Sequence, residues 1–336
     1  MIFVCLTTKK INIAIIGVGR LGSLHSKVIS EISNANFVGV YDLDRTKSQQ
    51  IANEFNVKCF DTLEEIPKLI DAVVVTTETS SHFEIAKFFL ENHIHTFIEK
   101  PITKEISEAI QLIEIAKKFN LKIQVGHIER FNPAILALEK YNLSPMFIEA
   151  HRLSQFSIRG NDVAVVLDLM IHDIDLILSI VKSKVKRIDA SGVKIISDTI
   201  DIANARINFE NGAVANITAS RISQRKMRKM RLFQRNGYFS IDFAENDVEV
   251  FRIVESENET QNKMLLLGEI ELGKIKRNIV YERPDIPKIN SLKLEVEEFL
   301  KSITFNTDVK VSGLDGLYAL QIADEIVKKI ETQNFF

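Results

Sequence analysis

The stretch "INIAIIGVGRLG", residues 11–22, decides how the first part of the chain folds. Ile11–Ile16 is an almost continuous apolar run and reads as a buried strand. Gly17, Gly19 and Gly22 follow in G-x-G-x-x-G spacing, with a helix-like segment behind them. The first glycine permits a tight turn, the second lets an anionic group approach the backbone, and the third lets helix and strand pack closely. An anion in that turn rests on the helix N-terminus. Asp42 stands twenty residues beyond Gly22, at the end of the next apolar run, where a carboxylate can accept from ribose hydroxyls. Alone, the glycine spacing would fit a tight turn with no ligand. Together with strand, helix and acid it points to a dinucleotide, held by Gly17, Gly19, Arg20, Leu21, Gly22 and Asp42. The Asp42 carboxylate repels a 2′-phosphate and so favours NAD over NADP. Arg45 could offset that repulsion, or could simply be a helix-start residue.

Outward from this loop, strands alternate with helices. Phe37–Tyr41, Ala72–Val75, Thr96–Ile98 and Ile123–Val125 read as further strands, and Leu21–Ile32, Thr46–Phe55, Phe83–Asn92 and Ile106–Phe119 show helical spacing. Apolar strands in such alternation predict a parallel sheet covered on both faces, a Rossmann-type doubly wound α/β domain over residues 1–126. After Gly126 the pattern changes. One strongly apolar helix is predicted over Val163–Val181. Strand-like runs follow at Ile188–Ile196, Ile202–Phe209, Ala213–Ser220, Arg228–Phe233, Tyr238–Phe243 and Val248–Val254. "ENGA" and "RNGY" are turn signals between some of them. Amphipathic helices at Leu292–Ile303 and Leu314–Ile330 close the chain. Residues 127–336 therefore read as an α+β domain with a large, mostly antiparallel sheet, its last helices free to pack back on the first domain.

Composition narrows the class. The chain has 336 residues, 46% hydrophobic and 26% charged, with a formal net charge of −2. That balance predicts a soluble two-domain protein with no overall attraction to nucleic acid or membrane. Apolar runs are too short for a bilayer span, and "MIFVCL" is too short for a signal-peptide core. Cys5 and Cys59, in no metal-ligand spacing, suggest a reducing cytoplasm, no disulfide framework and no metal.

Two further features suggest chemistry. In "HTFIEKPITKE", residues 95–105, Lys100 leaves the carboxyl end of an inner strand, the edge at which open parallel sheets bind ligands. Pro101 holds Lys100 out of the helical region and stiffens the turn. Lys100 then either points at the cofactor crevice or is an ordinary solvated loop lysine. In "VVLDLMIHDIDLILS", residues 165–179, Asp168, His172, Asp175 and Ser179 fall on one helix face. Such a stripe must meet a cavity, a ligand or a polar partner. Histidine is the one side-chain type that titrates near neutrality unaided, and Asp168, one turn before His172, can orient it or raise its basicity. The other reading is a helix face hydrogen-bonded into a loop. His25, behind the glycine loop, reads as packing.

"GVGRLG", "EKP" at Glu99–Pro101, "GHIERFNP" at Gly126–Pro133 and "DLMIHDID" at Asp168–Asp175 together resemble the glucose–fructose oxidoreductase/inositol dehydrogenase family, Gfo/Idh/MocA. The resemblance runs through nearly the whole chain, to "SGLDGLYALQIADEIV" near its end. It implies NAD(P)-dependent oxidoreduction of a sugar or polyol carbinol, and an open sheet that joins subunits into a homodimer or homotetramer. It also implies that Lys100 and His172 act as acid/base groups, that Asp168 assists, and that Glu99 and Lys100 lie near the nicotinamide ribose. "TTETSSH", residues 76–82, matches a cofactor-contacting segment that would use Thr77, Thr79 and His82, with Glu78 in place of the family's usual proline. Within the family, "RLSQFSIRGNDVAVVLDLMIHDID" most resembles enzymes acting on the 3-hydroxyl of UDP-N-acetylglucosamine or related sugar nucleotides. A diphosphate needs cations, which Arg152, Arg159 and the basic run 221–235 could supply, with Arg159 and Asn161 just before the Asp168 helix. Alternatively those arginines pair with carboxylates, and the basic run is a solvated or interface face. A dehydrogenase of a free sugar or inositol, and a non-catalytic NAD-binding sensor or structural protein, are the competing functional readings.

Overall fold

The first apolar run forms β1 (Ile11–Ile16), and the glycine loop leads into α1 (Arg20–Ser30). The computed structural model describes residues 10–156, 163–254, 264–272 and 275–333; "MIFVCL", Arg159 and Asn161 lie outside them. The chain continues through β2 (Ala35–Tyr41), α2 (Arg45–Phe55), β3 (Lys58–Cys59), β4 (Ala72–Val75), α3 (Thr79–Glu91), β5 (His95–Glu99), α4 (Ile106–Phe119) and β6 (Ile123–Gly126). The six strands form one parallel sheet in the order β3-β2-β1-β4-β5-β6. Strand order therefore reverses between β1 and β4, and the carboxyl ends of these two strands border the crevice where doubly wound sheets take ligands.

Local chemistry sets the helix ends. The Asp44 side chain accepts from the amides of Thr46 and Lys47 at the start of α2, and Glu105 and Glu108 form a reciprocal capping box on α4. Left-handed Asn56 and Asn120 close the same two helices. Helix α3 begins at Thr79, earlier than its apolar periodicity suggested, because its first turn is polar. The two-residue β3 carries too few side chains to show a period.

The second sheet has nine strands. They are β7 (Phe147–Leu153), β8 (Val185–Val193), β9 (Ile202–Phe209), β10 (Val214–Ser220), β11 (Met227–Gln234), β12 (Gly237–Asp242), β13 (Asp247–Val254), β14 (Met264–Leu272) and β15 (Ile275–Glu282), in the order β14-β15-β13-β12-β11-β7-β10-β9-β8. Among the described residues of this sheet only β7 and β10 pair in parallel. One face is apolar, with Ile148, Ala150, Ile217, Leu232, Phe239 and Val250 all buried. The short α5 (Pro133–Leu136) and the helix α6 (Ile171–Val181) pack on that side of the sheet. The opposite face carries an aligned row of aromatic rings, one per strand: Phe147, Phe233, Tyr238, Phe251 and Tyr281, with successive centroids 4.9–5.9 Å apart. Sequence periodicity missed β7, β14 and β15. In β7 the alternation is diluted by Glu149, His151 and the buried Arg152, and in β14 the register slips between Leu266 and Gly268.

The single helix expected over Val163–Val181 is instead a π-helical turn, Val166–Met170, continued by α6. A π turn inserts a residue, so residues on its two sides no longer share a face at α-helical spacing. Charges pin α6. Arg152 of β7, 3% exposed, donates in a fork to Asp173 at 2.8 and 2.9 Å and to Glu129 at 2.9 Å. The Asn132 amide donates to the other oxygen of Glu129 at 3.0 Å. Arg130 grips Asp175 in the same bidentate way, at 2.7 and 2.6 Å. Burial opposes the charge on Arg152, but Asp173 and Glu129 more than reverse this and hold its pKa above the ordinary guanidinium value.

Two closing helices follow, α7 (Ser291–Phe305) and α8 (Gly313–Gln333). The chain forms two compact units, one of residues up to Ile128 with Asn290–Leu320, the other of Glu129–Ile289 with the chain from Gln321. In the first, Val296, Phe299 and Leu300 of α7 enter the core made by β1, β2, α1 and α2. Among the described residues no helix is long and apolar enough to cross a membrane.

Removing one partner of a buried ion cluster strands the others. Arg152→Met is expected to destabilise the second unit by about 3 kcal/mol or more, read from urea unfolding. A loss below about 1 kcal/mol would mean that the cluster does not hold α6.

Candidate functional site

The glycine loop is built for close approach. Gly17 has φ +88°, and a Cβ there would lie 2.8 Å from the Thr77 Cγ2 and 2.9 Å from the Thr77 nitrogen. At Gly22 a Cβ would fall 1.9 Å from the Gly17 carbonyl oxygen, so no side chain fits between α1 and the turn. Gly19 differs: nothing lies within 4 Å of the place its Cβ would take, and no side chain caps α1. The first amides of α1 thus stand beside open space, with Arg20 and Leu21 exposed around them. The Thr76 hydroxyl donates to the Gly17 carbonyl at 2.5 Å and fixes the turn from β4. The Thr77 hydroxyl oxygen is buried and has no hydrogen-bond partner among the described residues.

Asp42 closes β2 next to this loop. Its carboxylate accepts from the Val18 amide at 2.7 Å and from the Asp44 amide at 2.8 Å. Two backbone donors leave lone pairs free for ribose hydroxyls. Arg45 is the first residue of α2, and its guanidinium donates to the Phe60 carbonyl at 2.7 Å and pairs with Asp61 at 2.7 Å. It is thus a helix-start residue, engaged away from Asp42. An open helix N-terminus, an orphaned hydroxyl and an anchored carboxylate are a donor and acceptor set that fits a dinucleotide.

Glu99 and Lys100 follow β5. Glu99 is buried; its Oε1 lies 2.9 Å from the Nε2 of buried His25 on α1, and its Oε2 accepts from the Lys100 amide at 3.2 Å. Burial alone would raise the Glu99 carboxyl, but the bond and charge of His25, with the Lys100 amide, hold it below the ordinary glutamate value. Lys100 is half-buried at the carboxyl edge of the sheet. Thr79 opens α3 behind an exposed Glu78. The family resemblance implies that His82 touches the cofactor. It is 1% exposed instead, with Nδ1 2.9 Å from the Pro101 carbonyl and Nε2 3.1 Å from the Thr77 carbonyl. Burial lowers its pKa, and a neutral ring has one N–H to give, which the shorter contact to Pro101 takes. His82 braces the turns after β4 and β5 through their backbones.

In the second unit, Asp168 lies in the π turn and His172 in the first turn of α6, both half-buried. The polar stripe read from the sequence divides. Asp175 is taken by Arg130, and the Ser179 hydroxyl bonds back to the Leu176 carbonyl at 2.7 Å. Arg152 is no substrate cation, because two carboxylates already occupy its fork. Arg221 is buried as well, donating to the carbonyls of Val163 and Ile200. Lys229 and Arg231 pair with Asp242 and Glu149. This part of the basic run is fold and sheet face. Sequence reasoning took His25 as packing and gave Gly126 no role of its own beyond its place in "GHIERFNP", although a Cβ at Gly126 would meet the Glu99 Oε2 at 2.7 Å. The available signal was that His25 shares the inner face of α1 with Gly22, Val28 and Ile29.

Comparison with known proteins agrees with this arrangement. Residues 11–127 match the model of an oxidoreductase family with an NAD-binding Rossmann fold, and residues 149–240 match the GFO/IDH/MocA C-terminal domain. UDP-N-acetylglucosamine 3-dehydrogenase of Acidithiobacillus ferrooxidans is 32% identical over 94% of this chain and 96% of its own length. A solved structure of that enzyme superposes with a TM-score of 0.85 at 31% identity, covering 96% of this chain and 98% of the other. The scyllo-inositol 2-dehydrogenase (NAD(+)) of Bacillus subtilis is 26% identical over 64% of this chain and 68% of its own. The chain belongs to the Gfo/Idh/MocA family of NAD-binding oxidoreductases.

Proposed function

We propose that the protein is an NAD-dependent dehydrogenase of a sugar nucleotide, oxidising a secondary hydroxyl of a UDP-N-acetylglucosamine-like substrate at its 3-position. The observation that carries the substrate class is the 32% identity, over 94% of this chain, to an enzyme named for that reaction. Nicotinamide, when bound, accepts the hydride from the carbinol carbon. The chain's own residues do the rest. The α1 amides and the Thr77 hydroxyl hold the diphosphate side of the dinucleotide, and Asp42 accepts from the adenosine ribose. Lys100 and His172 are the groups that take and return the hydroxyl proton, and Asp168 orients His172. With Arg152 and Arg221 committed to internal partners, recognition of the sugar diphosphate falls to Arg159, Asn161 and backbone amides.

The cofactor preference follows from Asp42. A 2′-phosphate would meet a carboxylate anchored by two amides, while Arg45 is held by Phe60 and Asp61. NAD(H) is expected to bind at least about tenfold tighter than NADP(H), a difference of about 1.4 kcal/mol. Titration of both by quenching of intrinsic tyrosine fluorescence checks this, and equal affinities would show that Asp42 does not face the ribose.

The reaction itself is tested with UDP-N-acetylglucosamine, myo-inositol and glucose side by side. NAD reduction is expected with the first and little with the others; faster turnover of inositol or glucose would overturn the sugar-nucleotide reading. Lys100→Met and His172→Ala should each lose about a hundredfold or more in kcat while still binding NAD. A variant that keeps most of its activity removes that residue from the proton path.

The aromatic row on the open sheet face fits a second copy of the chain, giving a homodimer or homotetramer. Phe233 stands 36% exposed in that row, flanked by alternating charges such as Arg231 and Glu149. Sedimentation should give a dimer or larger, and Phe233→Glu should lower the mass. A monomeric parent protein would end this assignment.

A further inference from the structure

His25 sits on the inner face of α1, fully buried, and its polar contact among the described residues is to a residue 74 positions away in sequence. Its Nε2 meets Glu99 at 2.9 Å, its ring edge lies against Phe97 with centroids 5.3 Å apart, and its Nδ1 is buried without a hydrogen-bond partner among the described residues. A side chain kept only to fill core would do better as an apolar ring, since a half-satisfied histidine beside a buried carboxylate adds desolvation cost. The arrangement has a direction instead. One Glu99 oxygen faces His25, and the other accepts the amide of Lys100. Gly126 makes room for that carboxylate, because a Cβ there would lie 2.7 Å from Oε2 and 2.9 Å from the carboxyl carbon. A single planar carboxylate therefore ties the backbone of Lys100 to the helix whose open N-terminus borders the nucleotide crevice.

We propose that His25 is a positioning residue for Lys100: through Glu99 it fixes the turn that carries the lysine relative to α1, and so relative to a dinucleotide resting on α1. The inference rests on the reading of Lys100 as a proton-handling group. Its physical basis is steep distance dependence. Proton transfer needs hydrogen-bond reach, and a displacement of about 1 Å can cost about a hundredfold in rate. Binding of NAD draws on the α1 amides and Asp42, which His25 does not touch, so positioning and cofactor affinity separate.

The test compares His25→Phe, which keeps the ring volume and removes both nitrogens, with His25→Gln, whose amide can donate to Glu99 again. Full-length variants are assayed with UDP-N-acetylglucosamine, or with whichever of the three sugars proves active. His25→Phe should lower kcat at least about tenfold and shift the NAD dissociation constant less than about threefold, and His25→Gln should recover a substantial part of the loss. A second readout needs no turnover. Acetylation of Lys100 by an amine-selective reagent, followed by peptide mass spectrometry, should run at least about threefold faster in His25→Phe, while Lys47 on the exposed surface of α2 keeps its rate. Activity and labelling unchanged in His25→Phe overturn the inference, as does a loss of activity matched by lost NAD binding or not relieved by glutamine. Should His25→Phe fail to fold, His25→Asn, polar but too short to reach Glu99, carries the same expectations. Lys100→Met separates the two layers: an inactive Lys100→Met beside a fully active His25→Phe removes only His25, whereas an active Lys100→Met removes the reading of Lys100 itself.

Discussion

No side chain fits between helix α1 and the turn that feeds it, and the nucleotide half of the protein depends on that closeness. With Gly22 lying directly over the Gly17 carbonyl, α1 is brought against the end of β1, and its uncapped amides are left facing the crevice. The same approach puts His25, one turn further along, within reach of Glu99 at the end of β5. The carboxyl ends of β4 and β5 are then held to α1 and the turn that feeds it: β4 to the turn through Thr76 on the Gly17 carbonyl, and β5 to the helix through Glu99 on His25. Each bond is short and buried, so each is worth more than its exposed counterpart and tolerates little displacement.

The second unit solves a similar problem with charge. Helix α6 is almost wholly apolar along the sheet, and apolar contact alone would let such a helix slide or rotate. The forks of Arg152 and Arg130 on Asp173 and Asp175 have one satisfactory geometry each. Two bidentate pairs on different faces of one turn set both the height and the rotation of α6. They therefore set where His172, on another face of the same turn, is presented. Whether such clusters add net stability over a packed apolar core is a separate matter; their clearest effect is to make one arrangement much better than its neighbours.

Much of this was legible beforehand. The glycine spacing, Asp42, the parallel strand–helix alternation and the antiparallel runs after Gly126 are local signals, because backbone conformation and burial periodicity are written within a few residues of themselves. Those signals carried the architecture and the dinucleotide-binding character of the first domain, while the family came from longer motifs such as "EKP" and "DLMIHDID". They misjudged helix 163–181, since a π turn differs from an α turn by one inserted residue and leaves the apolar pattern on either side intact. They also missed β7, where a buried arginine breaks the expected alternation.

What the sequence by itself determined was where ligands can approach and which side chains are available to meet them. Tertiary structure alone decided which of those side chains are already engaged. Arg152, Arg45, His82 and Asp175 look as available in the sequence as Lys100 and Asp42, and each is held by a partner far along the chain or by a distant carbonyl. His25 shows the converse, a residue with no visible task until Glu99, 74 positions on, is brought beside it. The reason is one of range. Periodicity and glycine spacing report on neighbours within about two turns, whereas pairing of buried charges depends on contacts that only the folded chain brings together.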